Sequence, residues 1–199
     1  MSHIVNPLAT PVSIANGGTN SSTALNNDEM IISHGGAIIE NTNFTFDSTD
    51  SYLSSSTQAR CVAFNSTTQS IPDSTFTAIT LDSNDVNVGS MHSTSTNTSR
   101  VTVPTSAGGY YFVTTTTSFP QIAGFEFVEA IKKNGTTFLK LVAFASSSAV
   151  GIQVQVMWQG VLNAGDYVEL YVFMNTGATQ NVGNASRSGA SELTAVKLW

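Results

Sequence analysis

Val101 and Val103, then Tyr111 and Val113, alternate with small or polar neighbours on either side of Pro104 and the run Ser106-Ala107-Gly108-Gly109. A side-chain period of two belongs to half-buried strands, and proline close to paired glycines marks a turn. Strand, corner and strand are thus packed into one short stretch. A chain made of such units must fold by pairing strands.

The same pattern fills the span from Arg60 to Trp199, with turn signals every 8 to 15 residues and no helical period. Candidate strands are Arg60–Asn65, Phe76–Leu81, Val86–Met91, Arg100–Pro104, Tyr110–Phe119, Phe125–Lys133, Thr136–Ser146, Val150–Leu162, Tyr167–Asn175 and Leu193–Leu198. Their number and spacing predict an all-β fold, a ten-stranded jelly-roll sandwich. Asn134-Gly135 between Lys133 and Thr136 predicts a type I′ hairpin turn, because both residues tolerate positive φ. Val154, Val156 and Trp158 share one face of their strand. Val168, Leu170 and Val172 share one face of theirs and oppose Tyr167, Tyr171 and Phe173.

Upstream the character changes, and three segments are expected: an arm over 1–27, a short β stalk over 28–59 and the head over 60–199. Pro7, Pro11, Gly17 and Gly18 defeat helix in the arm, which offers little apolar surface to bury. In the stalk, Met30-Ile31-Ile32 and Ala37-Ile38-Ile39 flank Ser33-His34-Gly35-Gly36, and Phe44-Thr45-Phe46 leads to Tyr52-Leu53. These runs are short strands that cannot make a core in one chain, so three chains around an axis are expected to bury them.

Only 10% of the residues are charged, and the net charge is -6. The seven basic residues are scattered, so there is no stripe to neutralise a nucleic-acid backbone. The opening residues hold neither a basic segment nor an apolar run, so no signal peptide is expected, and no stretch approaches the roughly 20 apolar residues of a membrane span. Cys61, the single cysteine, is expected to be a small buried apolar residue.

Catalytic patterns are missing from the sequence, and neither enzyme activity, cofactor nor metal is expected. His3, His34 and His92 have no ligand-spaced partners and are expected in arm, stalk turn and surface loop. Glu126 and Glu129, three apart on one strand, face opposite sides and cannot form a carboxylate pair. Asp82, Asn84 and Asp85 form an acidic turn for which solvation is the expected state.

Two resemblances add to these readings. Asn16-Gly17-Gly18-Thr19, followed by Thr23-Ala24, resembles the Asn-Gly-Gly-Thr-Gly element near the start of many bacteriophage tail-fibre and virion-fibre proteins, with Asn20 in place of the last glycine. It implies an arm that attaches to a capsid, tail or fibre-shaft protein. The head, through Val62-Ala63-Phe64, Val101 to Pro104, Gly108-x-Tyr110-x-Phe112, Ala164-Gly165-Asp166-Tyr167-Val168 and Leu193 to Leu198, resembles the trimeric globular heads of the tumour-necrosis-factor and complement superfamily. That implies a homotrimer with both ends of each head at its base.

The expected role is a trimeric fibre or spike head at the virion surface that mediates host attachment. The alternatives are a capsid cement protein without a receptor and, on the same fibre, a polysaccharide depolymerase. Tyr110, Phe112, Tyr167, Tyr171 and Phe173 are candidates for the subunit interface. Gln180, Asn181, Asn184 and Arg187, in a polar loop, are candidates for contact with a host glycan or protein.

Overall fold

The computed structural model describes residues 29–34, 37–47, 52–55, 58–145, 151–184 and 186–199. The expected attachment residues Asn16, Gly17, Gly18 and Thr19 lie outside them. The chain divides into two compact units, Met1–Thr57 and Gln58–Trp199.

In the first unit the apolar runs are strands: β1 (Glu29–His34), β2 (Ala37–Asp47) and β3 (Tyr52–Ser55) form an antiparallel sheet in that order. Ile32 is paired with Ile39, and Phe46 with Leu53.

The second unit contains β4 (Arg60–Phe64), β5 (Gln69–Ile71), β6 (Thr77–Ala78), β7 (Ser83–Val88), β8 (Arg100–Thr102), β9 (Gly109–Phe119), β10 (Glu126–Lys133), β11 (Thr137–Ala145), β12 (Ile152–Leu162), β13 (Tyr167–Asn175), β14 (Gln180–Val182) and β15 (Glu192–Lys197). Among the described residues a 3-10 turn spans Arg187–Gly189. One five-stranded sheet runs β12-β9-β15-β4-β7. The other runs β11-β10-β13-β6, with β8 also paired to β13. Ten strands in two packed sheets make the expected jelly roll, and β14 with β5 adds a two-stranded ribbon.

Alternation sets the core. Cys61, Ala63, Tyr111, Val113, Leu193 and Ala195 point inward from one sheet to meet Phe127, Ile131, Leu170, Val172 and Met174 from the other. Each large side chain buried there contributes about 1.5–3 kcal/mol. Cys61 is a buried free cysteine whose thiol burial pushes up to about 12, so it is unreactive. At the corner after Pro104, Ala107 N–H donates to Pro104 O at 3.0 Å, and the buried Tyr111 hydroxyl donates to Ala107 O at 2.7 Å. The second strand is thereby tied to the turn that starts it.

The β10–β11 hairpin turns as predicted: φ is 53° at Asn134 and 73° at Gly135, and Thr136 N–H donates to Lys133 O. A Cβ at Gly135 would sit 3.2 Å from the Tyr167 hydroxyl. Gly135→Val is expected to cost about 1–3 kcal/mol for holding a branched residue at positive φ, which a denaturant midpoint measures.

Three expectations are corrected. The strand expected over Phe76–Leu81 shrinks to Thr77–Ala78, because the backbone leaves β13 after Ile79 N–H donates to Leu170 O, and Leu81 N–H donates to Thr98 O instead. The strand expected over Val86–Met91 ends at Val88, before Gly89 with φ 87°. His92 is not a surface-loop residue. It is buried, with Nδ1 2.7 Å from Asn84 Oδ1 and Nε2 3.1 Å from Thr98 O, and the Asn87 side chain holds its backbone.

Candidate functional site

The two ends of the head differ in chemistry. At one end the first and last residues of the unit meet around Gly109. Tyr110 N–H donates to Trp199 O, Leu198 N–H to Tyr110 O and Lys197 N–H to Ala59 O. A Cβ at Gly109 would fall 2.3 Å from Trp199 O, so only glycine allows this approach. Trp199 stacks on Tyr110 with ring centroids 4.5 Å apart and planes 4° from parallel.

From this end an apolar field spreads over the outer face of the β12-β9-β15-β4-β7 sheet. Cross-strand register sets Val161 beside Tyr110, aligns Phe112 with Val196, and aligns Met157 with Thr114, Thr194, Val62 and Val86. Met157, Val161 and Trp199 are 55%, 61% and 73% exposed. Gln155 and Gln159 flank Met157 on the same face, so these exposed apolar side chains stand among amides and threonines; large exposed apolar side chains gathered on one face suit cover by another molecule. Leu141 and Val142, on β11 at the edge of the other sheet, are also exposed apolar residues.

The five candidate interface residues do not share a face. Tyr110 and Phe112 lie on this field, whereas Tyr167, Tyr171 and Phe173 point outward from β13 on the opposite sheet. Adjacent strands of one sheet would have grouped them, but β9 and β13 belong to different layers.

The eleven residues of β9 carry the chain about 33 Å to the far end. There a cleft of about 390 Å³ opens, lined by Ser118, Gln121, Gln153, Asn181, Asn184 and Ser188 over Gly151, Gly183 and Gly189, with Phe119, Pro120 and Ile152 completing the wall. None of these residues is charged. Gly183 N–H donates to Ser118 O, which fastens the end of β14 to β9. Asn184 Oδ1 accepts from Ser186 N–H and Oγ–H, both at 2.8 Å, and so shapes the 3-10 turn. Gln153 Nε2 donates to Ser188 O at 3.1 Å, joining β12 to that turn. Nearby, Asp73 accepts from Thr176 N–H at 2.7 Å and from Gly177 N–H, and these bonds hold its carboxyl below the usual carboxylate range.

The polar candidates therefore divide. Asn181 and Asn184 line the cleft. Gln180, next to Asn181 on β14 and paired with Ile71 of β5, does not line it. Arg187 braces the loop: its Nε donates to Asp85 Oδ2 at 2.9 Å, its Nη2 reaches both Asp85 and Glu192, and its guanidinium lies 4.3 Å from the Phe64 ring centre. Gln121, Gln153, Ser118 and Ser188 were not among the candidates. Ser188 belongs to the same polar loop as Asn184 and Arg187, whereas Ser118 and Gln121 at the end of β9 and Gln153 on β12 come from two other segments that no local pattern joins to it.

The lining offers hydrogen-bond donors and acceptors but no carboxylate, imidazole or thiol, so it can hold a polar ligand without supplying a general acid or base. The two carboxylates that Arg187 draws together, Asp85 and Glu192, are both occupied by it. Asp82 is committed to the Ser66 backbone and hydroxyl at 2.8 and 2.9 Å.

No protein-family model matches the chain, and no curated protein matches it in sequence. Solved structures do resemble it. The globular domain of zebrafish complement 1qA protein is 10% identical with a TM-score of 0.52, over 71% of this chain and 98% of that one. Murine APRIL is 13% identical with a TM-score of 0.51, over 69% and 98%. Eiger TNF from S. frugiperda is 17% identical with a TM-score of 0.51, over 71% and 93%. At such identities the likeness speaks of fold alone, and the fold it establishes is the jelly roll of the tumour-necrosis-factor and complement globular heads.

Proposed function

We propose that this chain is the trimeric head of a virion fibre or spike and attaches to the host by binding an uncharged surface glycan at the far-end cleft. The observation that carries this reading is the polarity of the head. Apolar surface to be covered lies beside both ends of the unit, and an amide- and hydroxyl-lined, charge-free cleft opens about 33 Å away. A scaffold held at one end and recessed at the other suits a binding module. Sugar hydroxyls are matched by amide donors and acceptors without the cost of desolvating ions. The arm, through Asn16 to Thr19, joins the head to a capsid, tail or shaft protein in this reading.

The test is Gln121→Ala combined with Asn181→Ala in the full chain, scored by adsorption to host cells and by binding to an array of neutral oligosaccharides. Both should fall at least about tenfold, with oligomeric state and melting temperature unchanged, since losing two hydrogen bonds at about 1 kcal/mol each is worth that much. Arg187→Ala is not a substitute, because it would release the loop from Asp85 and Glu192. Unchanged adsorption would favour the cement role.

A further inference from the structure

On the sheet opposite the apolar field, Lys132 projects into a ring of aromatics. Its ammonium lies 4.1 Å from the ring centre of Tyr171, 4.4 Å from that of Phe138 and 5.2 Å from that of Phe76. Phe76 packs on Phe138 at 5.2 Å and on Phe173 at 5.0 Å, so the rings form one cluster. Phe76 and Phe138 remain 37% and 43% exposed.

Ring faces attract this cation but leave its charge without an anion. Among the described residues the salt bridges belong to Lys133 and Arg187, not to Lys132. The nearest acid in register, Glu169, sits opposite Lys132 but is buried and accepts from the Ser99 hydroxyl at 2.8 Å. On its other side Glu169 pairs in register with Arg100, whose guanidinium is stacked over Tyr167 at 4.7 Å. Two cations thus flank one engaged carboxylate, and the local excess is positive in a chain of net charge -6.

We infer that this aromatic platform around Lys132 is a second binding site, separate from the far-end cleft, for a carboxylated sugar. The carboxylate pairs with the Lys132 ammonium, and the carbon face of the sugar ring lies on the exposed faces and edges of Phe76 and Phe138. Flat half-exposed rings supply area without specificity, and the unmatched ammonium supplies the sign. A neutral sugar would leave the charge unanswered. An acidic peptide would answer it without using the flat rings.

The test uses the full chain and three probes by calorimetry at 50 mM salt: an oligogalacturonate, the same oligomer methyl-esterified, and an oligoglutamate of equal charge. Saturable binding of the oligogalacturonate is expected, at least tenfold weaker for the ester and weaker for the peptide. Lys132→Met, which keeps an unbranched apolar stem among the rings, should lower oligogalacturonate affinity at least tenfold. Phe138→Ser should lower it severalfold, and Asn181→Ala should leave it unchanged. The inference is overturned if oligogalacturonate fails to bind, if Lys132→Met binds it as the parent does, or if the ester binds equally. Equal or tighter binding of the peptide overturns the sugar assignment and makes the site a protein-docking one. Because Asn181 lies in the cleft and Lys132 does not, failure here and failure of the attachment reading are told apart.

Discussion

Replacing Glu129 by glutamine is expected to make the protein more stable at pH 8 by several kcal/mol and to remove most of its loss of stability between about pH 5 and 8. Glu129 is fully buried between the sheets. Its Oε1 accepts from the Thr115 hydroxyl at 2.6 Å, while Oε2 has no partner, and the Thr117 hydroxyl faces the group beyond hydrogen-bonding distance. Desolvation is the dominant cause that pushes its carboxyl up to about 8 from an ordinary 4.5, against the smaller opposing effect of the threonines. The folded state therefore keeps a proton that the unfolded state releases above pH 4.5. Stability is fully present below that value, falls as pH rises and levels off above about 8. A shift of that size corresponds to roughly 5 kcal/mol, a large part of the 5–15 kcal/mol that holds a domain together.

Glutamine keeps the shape and the acceptor for Thr115, carries an amide that can turn toward Thr117, and never ionises. Urea denaturation at pH 5, 6.5 and 8 reads the slope directly. Parallel profiles for the parent and Glu129→Gln would show that another group governs the pH response.

Glu129 also shows where sequence reasoning stops. Phe127, Glu129 and Ile131 share one parity on β10, so the alternation already pointed this carboxyl at the core. A glutamate in a strand is ordinarily placed toward water, and only the burial of its neighbours on β9 and β13 reveals the exception. The long strands were legible because each repeats its period over many residues, as β9 does from Tyr111 to Phe119. β5 and β14 are three residues each and pair Ser70 with Asn181 across the whole head, so no local signal marks them. The same limit governs the site. Arg187 reads as a free cation in a polar loop until the fold brings Asp85, 102 residues away, to its guanidinium. Tyr110 and Tyr111 are consecutive aromatics of which one is core and one is surface. Periodicity separates them, but it cannot say that the outward face of β9 is not the outward face of β13.

For the trimer proposed above, Met157→Glu is expected to turn three associated 21.0 kDa chains into folded monomers at micromolar concentration. Met157 stands 55% exposed on the outer face of the sheet, in register with Thr114 and three strands from Val62, so its replacement disturbs no core contact within one protomer. In a closed threefold ring each protomer gives one patch and receives another, so a single substitution appears in all three interfaces. Each would bury a carboxylate at a cost of several kcal/mol per ion. That is enough to lower the association constant by several powers of ten. Asn175→Glu, on the exposed far end of β13 in the opposite sheet, adds the same charge outside the field and should leave the trimer intact. Light scattering on the parent and both variants decides it. A monomeric parent removes the assembly face from the account, whereas a trimeric Met157→Glu moves the contact to another surface of the head.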